Sequence, residues 1–365
     1  MRIVVAMSGG VDSSVAAAML ADQGHDVIGV SMQLYDQREG QTRFGTCCTI
    51  DDLHDARRAA TAIGIPHYIM NFERQFQSHV IDNFVKEYVG GRTPIPCSHC
   101  NSDLKFATLL DRARSFDAEC LATGHYARVE RDETRQQFVL KRGLDPAKDQ
   151  SYFLFSLTQP QLSRASFPIG HLEKTDVRTY ARERGLPVAD KPDSHEICFI
   201  PSGDHAEFVE RQAGSSAPAA GVLVDTTGKV VGRHAGVHHF TVGQRKGIGL
   251  SAPIPLYVVD IDAPSNTVTV GARAALERRT LIASDVNWVA GTPPATPVRA
   301  AAQIRHRHRE APGLLTPLGD GRARMVFDEP QAAIAPGQAA VFYQQDEVIG
   351  GGWIESSSAD ESNDA

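Results

Sequence analysis

No stretch of this chain approaches the roughly 20 consecutive apolar residues that a membrane-spanning helix needs, and no segment repeats another. Positive charge is not in excess either. Its 37 Lys and Arg stand against 44 Asp and Glu, a net charge of −7, so global composition does not point to a nucleic-acid surface. A local basic patch on an acidic chain remains compatible with that balance. Cysteine is too sparse for a disulfide scaffold, with six in 365 residues, and no signal-peptide pattern precedes the first apolar run. The reading is a cytosolic chain whose cysteines serve chemistry or metal binding. What is present, 42% hydrophobic and 22% charged residues, is ordinary globular material, long enough for about two to three domains.

The N-terminus carries the strongest local pattern. Ile3, Val4, Val5, Ala6 and Met7 run without polar alternation, as a strand buried on both faces does. Ser8-Gly9-Gly10-Val11-Asp12-Ser13-Ser14 follows at once, and Val15 to Leu20 has helical composition. Two glycines at a strand-to-helix turn let backbone N–H groups converge at a helix N-terminus, a ready phosphate site. The Gly-Lys-Ser/Thr ending of a Walker A loop is missing, which disfavours an NTPase that grips the γ-phosphate.

Further along, Val27 to Met32, Pro66 to Met70 and Ala118 to His125 read as strands, while Asp51 to Ile63 and Phe76 to Val89 read as amphipathic helices. The alternation implies an α/β fold, a doubly wound parallel sheet with ligands at the carboxyl ends of its strands. Met32 and Gly124 fall there. From about Gly221 the texture changes to short Val/Thr/Ile runs between Gly, Pro, Asn and Asp turns, which predicts one or two small β-rich domains. Ala213 to Ala220 reads as a linker, Gly291 to Pro297 as a loop near a second boundary, and Glu355 to Ala365 as a disordered acidic tail.

Cys97-Ser98-His99-Cys100 follows a loop stiffened by Pro94 and Pro96, and Cys198 lies in Glu196-Ile197-Cys198-Phe199-Ile200. A lone C-x-x-C pair is compatible with zinc, an iron–sulfur cluster, redox exchange or a structural role. The adjacent Cys47-Cys48 pair fits tetrahedral ligation poorly, and Cys120 reads as a core residue of its strand.

The first loop resembles the SGGxDS pyrophosphate loop (PP-loop) of the adenylating N-type ATP pyrophosphatases. Six further motifs follow in order: Thr93-Pro94-x-Pro96-Cys97-x-x-Cys100-Asn101, Ala122-Thr123-Gly124-His125-Tyr126, Lys148-Asp149-Gln150-Ser151-Tyr152-Phe153-Leu154, Glu196-Ile197-Cys198-Phe199-Ile200, Thr241-Val242-Gly243-Gln244-Arg245-Lys246-Gly247 and Ala335-Pro336-Gly337-Gln338. Together they resemble the bacterial tRNA-specific 2-thiouridylases, the MnmA family, over nearly the whole chain.

That resemblance implies ATP-dependent formation of 2-thiouridine at the wobble uridine of tRNA(Lys), tRNA(Glu) and tRNA(Gln), with sulfur from a persulfide donor such as a cysteine desulfurase or relay protein. It implies nucleotide contacts from Ala6, Met7, Ser8, Gly9, Gly10, Val11, Asp12 and Ser13, with Met32 and Gly124, and an Asp12 that helps hold Mg²⁺. By position, Cys198 matches the persulfide carrier and Cys100 the nucleophile that helps release the sulfur, so that a Cys100–Cys198 disulfide would follow each transfer. It also implies tRNA contacts at Ile95, Pro96, Cys97, His125, Lys148, Asp149, Gln150, Arg305, His306 and Gln338. Two departures from the family pattern matter. Ile95 stands where many members have Asn, and Cys97 where some relatives have Asp. The Cys97/Cys100/Cys198 trio keeps an iron–sulfur route open beside the persulfide route.

Val298 to Arg309 reads as a strand that would put Arg305, Arg307 and Arg309 on one face, a basic stripe suited to phosphates. The expected organisation is an adenylating domain over 1–205, a small central domain over 206–278, a β-barrel over 279–355 and the tail 356–365. Two rivals share parts of this pattern. Adenylation of a small metabolite shares the first loop and leaves the cysteines unexplained. A catalytically dead tRNA-binding module leaves the intact loop unexplained.

Overall fold

The computed structural model describes residues 1–35, 50–193, 197–200 and 203–359. Cys47, Cys48, the Ser194-His195-Glu196 part of the Cys198 motif and residues 360–365 lie outside them. No helix among the described residues is long and apolar enough to cross a membrane.

The N-terminal unit is built on a parallel sheet of β1 (Arg2–Ala6), β2 (Asp26–Gln33), β3 (His67–Asn71), β4 (Cys120–Thr123) and a short edge strand further along the chain, Ala165–Ser166, in the order β3-β2-β1-β4-edge. The apolar run of β1 is explained by burial on both sides. Val4 joins one core cluster, and Ile3 and Val5 join the other, beneath α1 (Val11–Asp22) and α2 (Ile50–Ile63). The chain leaves β1 toward β2 and β3, then returns to β4 on the other side. The strand order therefore reverses between β1 and β4, and the crevice above that reversal is where a doubly wound sheet takes its ligand.

A hairpin of β5 (Ala127–Asp132) and β6 (Gln137–Arg142) leaves this unit before the edge strand, which becomes β7. The next unit is a four-stranded sheet of β8 (Gly221–Asp225), β9 (Val230–His234), β10 (Tyr257–Asp262) and β11 (Thr267–Gly271), in the order β10-β11-β8-β9. The last unit is a closed antiparallel barrel. Its six strands are β12 (Glu277–Trp288), β13 (Val298–Gln303), β14 (Ala311–Pro317), β15 (Ala323–Ala332), β16 (Ala339–Gln344) and β17 (Glu347–Ser358), with β12 pairing both β15 and β17. Alternate side chains such as Leu281, Ala283, Phe327, Phe342 and Ile354 fill its interior.

The β5–β6 hairpin, which the sequence reading passed over, extends the barrel sheet through Lys141↔Glu347 and Leu140↔Val348. Arg135 grips Glu347 with both terminal nitrogens at 2.7 and 2.8 Å, and the Arg142 guanidinium lies 3.6 Å from the Tyr343 ring centroid. The first and last units are thus joined by main-chain pairing as well as by side chains.

Two expectations are corrected here. The strand expected over Val298 to Arg309 ends at Gln303. Arg305 to Arg307 form a turn, with Arg307 at φ +62°, so no period-two stripe of arginines exists. Ser356, Ser357 and Ser358, expected within the disordered tail, are the end of β17, because Ile282, Leu281 and Thr280 offer them an unfinished ladder.

Candidate active site

The loop after β1 rises into the crevice between β1 and β4. Gly9 has φ +77°, a conformation open to glycine, and a Cβ there would meet the Asp52 carbonyl oxygen at 2.1 Å. Gly10 caps α1 in an extended conformation without a side-chain cap, so the first N–H groups of the helix are left to an external acceptor. Ser13 Oγ accepts the Ser8 N–H at 3.1 Å, and Ser14 Oγ donates to the Gly10 carbonyl at 2.9 Å. Those hydroxyls hold the loop curled over the helix end. From the opposite wall, Gly124 brings the end of β4 so close to α1 that a Cβ there would lie 2.5 Å from the Ser13 nitrogen.

Around this loop lies a network of charges from distant parts of the chain. Lys174 Nζ donates to both Asp12 oxygens at 2.7 and 2.8 Å and pairs with Asp193 at 2.9 Å. Tyr126 Oη donates to Asp12 at 2.8 Å, while Lys148 and Arg178 reach Asp193 at 2.7 and 2.9 Å. Lys191 Nζ donates to the Gly9 carbonyl at 3.1 Å and to Asp52 and Asp55 at 2.6 and 2.5 Å, tying α2 to the loop. Burial pulls the Lys191 ammonium down, but its two carboxylate partners outweigh this and hold it above its ordinary value. Lys174 and Lys191 thus contact the loop directly, with Lys148 and Arg178 one carboxylate further out on Asp193, and all four are balanced by Asp12, Asp193, Asp52 and Asp55.

Asp12 is ion-paired with Lys174 and accepts the Tyr126 hydroxyl, so a Mg²⁺ ion at its carboxylate would share or replace these partners.

Asp193 carries a pH dependence. Burial would raise its carboxyl, but hydrogen bonds and charge from Lys148 and Lys174 prevail and hold it at about 2. A depressed folded value means that the stability it contributes is complete above about pH 4 and fades as pH falls toward about 2. Melting curves of wild type and Asp193→Asn should therefore differ near neutrality and converge at the acid end. Curves equally far apart at both ends would contradict the assignment.

The cysteines sit on the other side of the sheet. Cys100 is half-buried where the helix Pro96–His99 widens into a π-helical stretch, Cys100–Leu109, a kind of irregularity common at functional positions. Cys198, also half-buried, is anchored by its neighbours. Phe199 packs edge-on against Phe76 and Phe84 at 5.6 and 5.2 Å, and the Cys198 carbonyl accepts the Tyr35 hydroxyl at 3.4 Å, just past the end of β2. Both cysteines pack against the same core cluster. Cys97 is exposed. The three thiols do not gather within 4.8 Å of one another, as sharing a single tetrahedral ion would require. Burial pushes the Cys120 thiol up to about 11, which leaves it protonated and inert.

Over residues 1–202 the chain matches the family model described as the tRNA methyl transferase HUP domain, over 206–272 its PRC-barrel domain, and over 278–354 an aminomethyltransferase beta-barrel domain. The tRNA-specific 2-thiouridylase MnmA of Acidobacterium capsulatum is 53% identical over 367 residues, covering 96% of this chain and 98% of its own. That of Geotalea uraniireducens is 52% identical over 359 residues, covering 97% and 95%. The chain belongs to the tRNA-specific 2-thiouridylase family. Its N-terminal unit is the HUP domain of that family, built on the parallel sheet described above. A solved 4-thiouridine synthetase–RNA complex with bound ATP aligns at 16% identity and TM-score 0.34, over 59% of this chain and 51% of that one, too distant to argue from.

Several residues expected to touch tRNA in this thiouridylase-family chain already have structural duties. Asp149 accepts the Gly143 and Ser151 N–H groups and pairs with Arg142, and Gln150 exchanges hydrogen bonds with the Tyr126 backbone. Lys148 is engaged by Asp193. Ile95 and Pro96 are buried, leaving Cys97 as the exposed member of that turn. His125 is held by Thr123 at 2.6 Å, and burial pushes its imidazole well below the ordinary value, so it is neutral. Arg305 donates to the Ala332 carbonyl at 3.1 Å, and the exposed His306 ring lies 4.8 Å from Phe153. Gln338 donates to the Thr93 carbonyl at 2.9 Å and so joins the barrel to the Cys100 loop.

The sequence reading gave no role to Lys174, Arg178, Lys191 or Asp193. Lys174 and Arg178 are four apart on one helix face, a spacing that could have suggested a shared partner. Nothing local marks Asp193 as that partner.

Proposed function

We propose that this chain converts the wobble uridine of tRNA(Lys), tRNA(Glu) and tRNA(Gln) to 2-thiouridine, consuming ATP and a persulfide sulfur donor. The observation that carries the reading is an uncapped helix N-terminus contacted by Lys174 and Lys191 in the same unit as two cysteines that pack on one core cluster. ATP would lie over Ser8 to Ser13 with Ala6, Met7, Met32 and Gly124 around it. The uracil C2 oxygen attacks the α-phosphorus, pyrophosphate leaves, and the oxygen becomes part of an AMP leaving group. The terminal sulfur of a Cys198 persulfide then adds at C2 and AMP departs. The Cys100 thiolate attacks Cys198 Sγ, the S–S bond breaks, its electron pair stays on the sulfur bound to C2, and a Cys100–Cys198 disulfide remains for an external thiol to reduce. Residues 1–205 would adenylate, while 206–278 and 279–355 clamp the tRNA.

Incubating the purified chain with unmodified tRNA, ATP and a persulfide donor tests this. The expected products are 2-thiouridine, AMP and pyrophosphate in equal amounts. AMP formation that depends on a small metabolite, without tRNA, would instead favour the rival synthetase reading.

The turn after β13 leaves Arg307 and Arg309 exposed while Arg305 is partly spent on Ala332. Arg307→Ala and Arg309→Ala should each weaken tRNA binding and reduce the slope of log affinity against log salt by about 1. An unchanged slope in both variants would remove this turn from the interface.

A further inference from the structure

The central unit contains a group of side chains that the thiolation chemistry does not use. Glu210 projects from the helix His205–Ala213, and His238 and His239 come from a single 3₁₀ turn, Val237–His239, that packs against it. Nε2 of His238 lies 3.1 Å and Nε2 of His239 lies 3.2 Å from the same oxygen, Glu210 Oε1, and the three ligand-type atoms all fall within 4.8 Å of one another. Among the described residues no other group of three metal-ligand side chains comes together.

Two features separate this arrangement from an ordinary surface ion pair. His238 is only 1% exposed, so its imidazole is held in place by packing. Nε2 of His239 is buried and makes no hydrogen bond, although it faces a carboxylate oxygen. Two imidazole nitrogens and a carboxylate oxygen that converge on one point repel unless a proton or a cation lies among them. A single proton serves the His238–Glu210 contact, and His239 is left without one in usable geometry. A divalent ion satisfies all three. With Zn–N and Zn–O bonds of about 2.0–2.2 Å, the edge of a tetrahedral site is about 3.4 Å, close to the spacing found here.

We propose that Glu210, His238 and His239 form a binding site for a divalent transition ion of the zinc type, with solvent in the remaining position. Two imidazoles and one carboxylate match the ligand preference of such an ion. Glu210 and His239 are partly exposed at 49% and 35%, which gives the ion a way in. The site stitches the 3₁₀ turn to the helix two residues before Thr241, whose hydroxyl meets that of Thr93 at 3.3 Å. The ion would thus stiffen the seam between the central unit and the loop leading to Cys100. Its role is structural.

Cobalt substitution tests the site on the full chain after chelator treatment. The expected result is one equivalent of Co²⁺ with visible d–d absorption and no thiolate-to-cobalt charge-transfer band, since no sulfur is a ligand. Glu210→Gln and His239→Ala should each weaken binding at least about tenfold, and Zn²⁺ should raise the melting temperature of wild type and of neither variant. Both substitutions are at partly exposed positions, and equal melting of all three proteins in chelator shows that the fold is kept. No bound cobalt in wild type, undiminished binding in both variants, or a thiolate band that disappears in Cys100→Ser or Cys198→Ser would each overturn the proposal.

Discussion

Cys198→Ser is expected to abolish 2-thiouridine formation while leaving ATP binding and pyrophosphate release intact. The substitution keeps size and polarity in a half-buried position whose anchoring comes from Phe199, Ile200 and the Tyr35 hydroxyl, so the loop should stay where it is. What is lost is the ability to carry a sulfane sulfur, because a serine oxygen forms no persulfide. Cys100→Ser should also end turnover but at a later point. Without added thiol, the uracil sulfur stays bonded to Cys198, and a protein–RNA adduct that reductant cleaves should accumulate. Gel shift under non-reducing conditions reads the adduct, and nucleoside analysis reads the product. Full activity of Cys198→Ser would remove the persulfide role, and loss of pyrophosphate release in the same variant would mean that the cysteine loop shapes the nucleotide site.

Gly124→Ala should lower ATP-dependent adenylation by about 100-fold, the order of loss that a displacement of about 1 Å produces in an active site. The added Cβ would lie 2.5 Å from the Ser13 nitrogen and 2.6 Å from the Asp12 carbonyl carbon, well inside the roughly 3.5–4.0 Å of comfortable contact. Both neighbours are backbone atoms of the first turn of α1, so no side-chain rotation relieves the clash, and the helix end must retreat from β4. The N–H groups that would meet phosphate retreat with it. Gly319→Ala is the control, since an added Cβ there meets nothing within 4 Å. Pyrophosphate release at saturating tRNA, followed against ATP concentration, separates the two variants. Equal rates for both would mean that the reversal between β1 and β4 is not the nucleotide site.

The parallel sheet was legible because its signals are local. The apolar run Ile3–Met7, buried on both faces, can be read without knowing the partners of β1, and Ser8 to Ser14 carries its turn chemistry in its own residues. The β5–β6 hairpin was missed for the opposite reason. Its alternation over Arg128 to Asp132 and Phe138 to Arg142 is short and charged, and its stabilising partners, Glu347 and Asp346, lie about two hundred residues away in the barrel. The Arg305–Arg309 segment misled because period two was extended past Gln303. The pleat ends where Ile304 enters the barrel core, and Arg307 adopts a left-handed turn. The lysines that contact the Ser8–Ser14 loop were invisible as a set. Lys174 and Lys191 meet Asp12 and Gly9 only after the chain has folded back over more than 160 residues. The cysteines stood out by motif, whereas their shared support on one core cluster became visible only in the fold.

In the proposed reaction ATP activates the uracil oxygen itself. Transfer of a heavy-oxygen label tests it directly. With tRNA labelled at the C2 oxygen of the wobble uridine, mass spectrometry of the released AMP should find one labelled oxygen in its phosphate for each 2-thiouridine formed. Thiolated tRNA accompanied by unlabelled AMP would contradict the account.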